Sequence, residues 1–264
     1  MRNLCVVFLS LLLLCACDFK FKNEENETVE SVEIQRYDRL ESLYLTTGDF
    51  SALQQMSTDY PVETRTLIED VLNLGKVDDP DINSKFLAFY QDSTLQSIII
   101  EAESQYASMD DLNKSFNDAF KKLQGWVPEL KAPLIYAQIC ALDQSIIIGD
   151  ASVGISLDKY LGEDYPPYKR YYTEEQRKTM NRENILPDCL SFYLLSRYHL
   201  PNFGTRPQFD RDMHVGKIQW VVNKAIDKPF FQSEYITAIS KYMAKHPNLS
   251  IKDLLDITDY EKFK

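Results

Sequence analysis

Three carboxylates stand close together in the segment LDKYLGEDY, at Asp158, Glu163 and Asp164. Paired carboxylates are a general acid–base device, one giving a proton while the other takes one. An acidic chain also produces such groups by composition, and the sequence predicts no catalytic residue here. Zinc would need three or four deprotonated ligands in one tight shell. The histidines are His199, His214 and His246, spread over the last third of the chain, with Asp188, Asp210 and Asp212 as the carboxylates that could join them. His199 is expected at the end of a helix, where the dipole favours a cation. His214 is expected to open the next helix, and His246-Pro247 to lie in a surface loop. No metal and no cofactor are expected. Ser145 and Ser191 have no sequence context that marks a nucleophile. The richest feature is aromatic: Tyr160, Tyr165, Tyr168, Tyr171 and Tyr172 alternate with Pro166, Pro167, Lys169 and Arg170. Rigid tyrosines among prolines and cations suit a protein interface or a glycan-stacking surface. They equally suit a long loop that buries its rings in the core. The residues expected to bind a partner are Asp158, Tyr160, Tyr165, Tyr168, Arg170 and Tyr171.

A different chemistry is written at the N-terminus. Arg2 precedes an apolar run over residues 4–16, whose end forms Leu14-Cys15-Ala16-Cys17 with the next residue. A short basic start and an apolar stretch of this length describe a secretory signal. The run is shorter than the roughly 20 residues that a membrane span needs. A branched apolar residue, small residues and a cysteine resemble a lipobox, so residues 1–16 are expected to be removed and Cys17 to carry lipid. Acyl anchoring holds a protein on a membrane without a span, which places the chain in the cell envelope. The periplasmic side is expected, and the outer membrane before the inner. Cys140 and Cys189 remain, either bridged or, in keeping with a domain this large, as small buried apolar residues.

The elements that must position these groups are mostly helical. Residues 17–31 are polar and acidic and read as a tether, and residues 32–264 as one domain. A net charge of −11 argues against nucleic acid as a partner. With 8 glycines in the whole chain, a Gly-rich phosphate loop finds no material. Leu112, Phe116, Ala119, Phe120 and Leu123 repeat at helical spacing, as do Leu67, Ile68, Val71 and Leu72 before a stop at Gly75. Thr173 with Gln176 reads as a capping box, Pro187 as a first-turn residue and Ser250 as a cap. Ile218, Val221 and Val222 mark one later helix, and Ile236 and Ile239 another. From 134 to 157 three β-branched runs separated by turn formers predict a small antiparallel meander. The fold class is α+β, predominantly α-helical.

Several segments are similar to the gliding-motility-associated lipoprotein B (GldB) family of Bacteroidota. They are IQRYDRL at 34–40, VLNLG at 71–75, FLAFYQD at 86–92, AFKKLQGWVPEL at 119–130, IIIGDASVGISLDKYLGEDYPPYKRY at 146–171 and ILPDCL at 185–190. The resemblance implies a zincin-like domain, a diverged relative of metallopeptidases in which a small sheet precedes a helix carrying His-Glu-x-x-His. Here that helix reads Pro187-Asp188-Cys189-Leu190-Ser191, and Val215-Gly216 stands where a third ligand would fall. The resemblance therefore implies a non-enzymatic, lipid-anchored envelope protein that serves as an accessory or scaffold factor of a gliding or secretion-type assembly. Its partners would be the membrane, through the anchor, and an envelope protein. The alternatives are an envelope hydrolase with a rebuilt site and a lipoprotein that binds a glycan or small molecule. This chain also departs from the resemblance near its end, where Asp227-Lys228-Pro229-Phe230-Phe231 leads directly into the last helices.

Overall fold

A computed structural model describes residues 31–263 of the chain; the expected leader, Cys17 and the tether up to residue 30 lie outside the described residues. Strand β1 (Ile34–Gln35) leads into helix α1 (Tyr37–Thr47). That helix ends at Gly48, whose φ of 73° lets its N–H reach back to the Tyr44 carbonyl. Asp49 caps α2 (Phe50–Asp59) by accepting the Ser51 and Ala52 amides. Helix α3 (Pro61–Arg65) continues through a wider, π-type turn over Thr66–Val71. The stop expected at Gly75 comes earlier. Asn73 takes the left-handed conformation (φ 53°), and Leu74 N–H closes back onto the Ile68 carbonyl at 3.0 Å. Asparagine tolerates that conformation best after glycine, so it terminates the helix first.

Helices α4 (Ile82–Phe89), α5 (Ser93–Gln105) and α6 (Asp110–Trp126) follow. On α6 the buried positions are Leu112, Phe116, Ala119, Phe120 and Leu123, the face read from the sequence. Strands β2 (Leu134–Gln138), β3 (Ile146–Ile148) and β4 (Ser152–Ser156) complete the sheet. After it come the short α7 (Tyr168–Tyr171) and α8 (Glu174–Arg177), then α9 (Ile185–Arg197), α10 (Gln208–Ala225), α11 (Glu234–Lys245) and α12 (Ile251–Asp256). The capping boxes at Thr173/Gln176 and Ser250/Asp253 both form. No helix among the described residues is long and apolar enough to cross a membrane.

The sheet is not the expected antiparallel meander. Its order is β1-β2-β4-β3; β1 and β4 run parallel to β2, and only β3 with β4 is antiparallel. After β2 the chain leaves the sheet, returns at the far edge as β3, and turns through Gly149 to insert β4 between the two. Side-chain shape favours that insertion. Tyr136 and Gly154 face each other in register, and a Cβ on Gly154 would stand 2.6 Å from the Tyr136 ring. A glycine strand position is the place where a neighbour can approach this closely. The opposite edge is closed by α6: Asn117 accepts from Val32 N–H and donates to Val32 C=O, while Asn113 accepts from Ile34 N–H.

Both cysteines of the domain, Cys140 and Cys189, are buried and free. A buried lysine on α10 clamps the segment around α12. Lys217 has 0% exposure, and its ammonium donates to the Leu255 and Ile257 carbonyls at 2.6 and 2.7 Å. Burial lowers its pKa to about 7.

The register argument carries a direct test. Gly154→Ala should destabilise the domain by about 1–3 kcal/mol in urea unfolding, because the ring or the strand must move to admit the methyl. Pairing it with Tyr136→Leu should recover part of the loss.

Candidate functional site

The site region begins where β2 ends. Residues 139–142 leave the sheet, with Ala141 and Leu142 both at positive φ (51° and 67°), and two carboxylates receive the amides of Ile139, Cys140 and Leu142. Glu41 on α1 accepts from Ile139 N–H at 2.8 Å, and Asp158, just beyond β4, accepts from Cys140 and Leu142 N–H. Tyr90 donates its hydroxyl to the Ile139 carbonyl, and Tyr172 donates to the Leu142 carbonyl. Burial raises the Glu41 and Asp158 carboxyls above the ordinary carboxylate range, and the amide bonds oppose that rise.

Asp158 thus anchors the turn and has 0% exposure. Glu163 and Asp164 lie exposed on the following loop, where Asp164 faces Lys169. The tyrosine cluster is divided between core and surface. Tyr160 and Tyr168 are buried, at 2% and 0% exposure. The Tyr168 hydroxyl receives Leu161 N–H and donates to the Asp158 carbonyl. Tyr165 is half-buried and packs edge-on against Tyr168 at 5.1 Å. Tyr171 is 56% exposed, with the Arg170 guanidinium 5.8 Å from its ring. Of the expected binding residues, then, Arg170 and Tyr171 reach the surface together, while Asp158, Tyr160 and Tyr168 hold up the fold beneath them.

Two openings flank Tyr172. The larger, about 660 Å³, runs along the start of α5 and is lined by Asp92, Thr94, Leu142, Asp143, Arg170 and Tyr171. The smaller, about 210 Å³, is lined by Ser145, Lys159, Tyr160, Gln176, Thr179 and Asp188. Asp188 stands in the first turn of α9 and accepts from the Tyr160 hydroxyl at 2.9 Å. Burial pushes its carboxyl up to about 6, against the Tyr160 hydrogen bond. Perturbed carboxyls in polar clefts mark functional sites more often than surface ones do. Lys159 turns its ammonium to the Leu142 carbonyl and to the Tyr172 hydroxyl at 2.9 Å.

The histidines stand apart from this cleft. His199 lies two residues beyond the end of α9, exposed rather than in its last turn. His214 sits inside α10 rather than opening it, buried, with Nδ1 2.8 Å from the Tyr260 hydroxyl. Burial lowers its pKa to about 4. His246 stacks on Tyr242 at 4.1 Å. Asp210 pairs with Arg206, and Asp212 accepts from Tyr235. Among the described residues no group of three or more His, Cys, Asp or Glu side chains is placed to hold a metal ion.

Two outcomes follow from these placements. Tyr168→Ala should cost about 3–5 kcal/mol in denaturant unfolding, as removal of a buried ring does, whereas Tyr171→Ala should stay within about 0.5 kcal/mol. Asp188→Asn keeps an acceptor for Tyr160 and removes the charge. Because the folded carboxyl titrates near 6, above its ordinary value of 3.8, wild-type stability falls as pH rises through that window. The Asn variant should gain about 2–3 kcal/mol over wild type above the window and nothing below it, read from urea midpoints across pH.

A family model described as gliding motility protein GldB matches residues 20–231. The match takes in the sheet, the carboxylate-held turn, both openings and α9, and it ends at Phe231, before α11 and α12. No curated protein and no solved structure matches the chain. With most of its length inside that match, the chain belongs to the GldB family of gliding motility proteins.

Proposed function

We propose that this protein is a non-enzymatic envelope lipoprotein of the gliding motility apparatus, held by acylated Cys17 and serving as an accessory or scaffold factor for an envelope protein partner. Family membership supports the envelope location and the motility context. The observation that carries the binding role is the Arg170–Tyr171 pair, an exposed cation and aromatic ring at the lip of the larger opening. Exposed tyrosine and arginine on a rigid base are the residue types that dominate interface energetics. Their base is rigid because α7 is tied down on its inner side by Tyr168 and Tyr172.

A second reading, an envelope hydrolase acting on peptide or glycan, draws on the Asp188 carboxyl in its cleft beside Ser145 and Lys159. It predicts cleavage of envelope polymers by the purified protein, abolished in Asp188→Asn.

In-cell crosslinking of a tagged chain, compared with Cys17→Ala and with Arg170→Ala/Tyr171→Ala, tests the first reading. One envelope protein should be captured near stoichiometry, lost without the anchor, and reduced about tenfold or more by the double substitution. Capture that is indifferent to Arg170 and Tyr171 would remove this surface from the proposal.

A further inference from the structure

The smaller opening holds one charge of each sign, and the two do not neutralise each other. Asp188 is occupied on one oxygen by the Tyr160 hydroxyl, and a carboxylate accepts more bonds than one. Lys159 spends two of its three donors, on the Leu142 carbonyl and the Tyr172 hydroxyl. Both line the same cleft, yet no ion pair joins them among the described residues. Gln176 uses its side-chain oxygen in the capping box with Thr173, which leaves its amide nitrogen as a donor on the cleft wall. A simple cation entering here would meet Lys159, and a simple anion would meet Asp188. A molecule carrying both charges a few bonds apart would satisfy both walls. The opening of about 210 Å³ has room for a small molecule of several heavy atoms.

We propose that this cleft binds a small zwitterion of the α-amino-acid class, with Asp188 receiving the ammonium and Lys159 and the Gln176 amide receiving the carboxylate. This inference does not rest on partner capture at Arg170 and Tyr171, which face the other opening. The groups that line the cleft with Asp188 are Tyr160, which donates to it, Ser145, Lys159, Tyr172, Gln176 and Thr179, and the Cys189 thiol follows it on α9. Lys159 is the one other charged side chain on that lining. A bound ammonium would therefore draw Asp188 towards its ionised form, and binding near pH 6 would release protons.

The test is isothermal titration calorimetry of the full-length chain with L-alanine and D-alanine, with lactate and ethylamine as probes that each lack one of the two charges. At least one alanine enantiomer should give saturable heat, and lactate and ethylamine should each bind about tenfold or more weaker. Near pH 6 the heat should vary with the ionisation enthalpy of the buffer; well above pH 6 it should not. Asp188→Asn, folded by circular dichroism, should lose both the binding and the buffer dependence, and Lys159→Gln should lose the binding. No saturable heat from either enantiomer, a preference for lactate or ethylamine, or undiminished binding by Asp188→Asn would each overturn the proposal. Loss of partner capture with alanine binding intact would count against the scaffold reading alone.

Discussion

Two carboxylates that hold backbone amides organise this domain. Glu41 and Asp158 reach the turn after β2 from opposite directions along the chain, one from the first helix and one from beyond the last strand. Burying a carboxyl is costly unless it is hydrogen-bonded, and amides that have left a sheet need acceptors. Each deficit meets the other here. The same sheet face collects further fully buried polar groups, Gln138 and Ser156 opposite each other in register and Tyr37 against Tyr136. What ties the strands to one arrangement is the turn, since a slip of β2 or β4 would part the Ile139, Cys140 and Leu142 amides from their two carboxylates at once.

From that turn the functional surface is laid out. The Leu142 carbonyl gathers Lys159 and Tyr172, and the Asp158 carbonyl receives Tyr168. Tyr172 then becomes the wall between the two openings, lining both. Lys159 and Asp188 fall on one side of it, Arg170 and Tyr171 on the other. The core that fixes the strands and the surface offered for binding are therefore the same set of bonds continued outward.

Much of this was legible in the residues. The face of α6, the capping box at Thr173, the cap at Ser250 and the predominance of helix all follow from local spacing, which short-range geometry enforces. The strand order was not legible, because β4 enters between β2 and β3 through contacts remote in sequence, the Tyr136–Gly154 fit above all. The tyrosine cluster could be read as core or surface, and the structure uses it as both; period alone cannot sort rings in an irregular loop. Lys217 escaped notice because a lysine on a helix reads as solvent-facing, and only the later arrival of α12 supplies the carbonyls it serves. Asp188 was visible as a carboxylate in a helix start, but its phenol partner lies 28 residues earlier.

The amide ladder from α6 to the first strand has a mechanical side. Near the start of the described residues, Val32 and Ile34 are gripped by Asn117 and Asn113, while β1 pairs in parallel with β2. These bonds lie across the strand rather than along it. A pull directed along β1 would load them together in shear instead of peeling them one by one. In a protein of a motility family, the strand next to the N-terminal segment is thus built as a lap joint, and traction arriving there is shared between a helix and the sheet before it reaches the core.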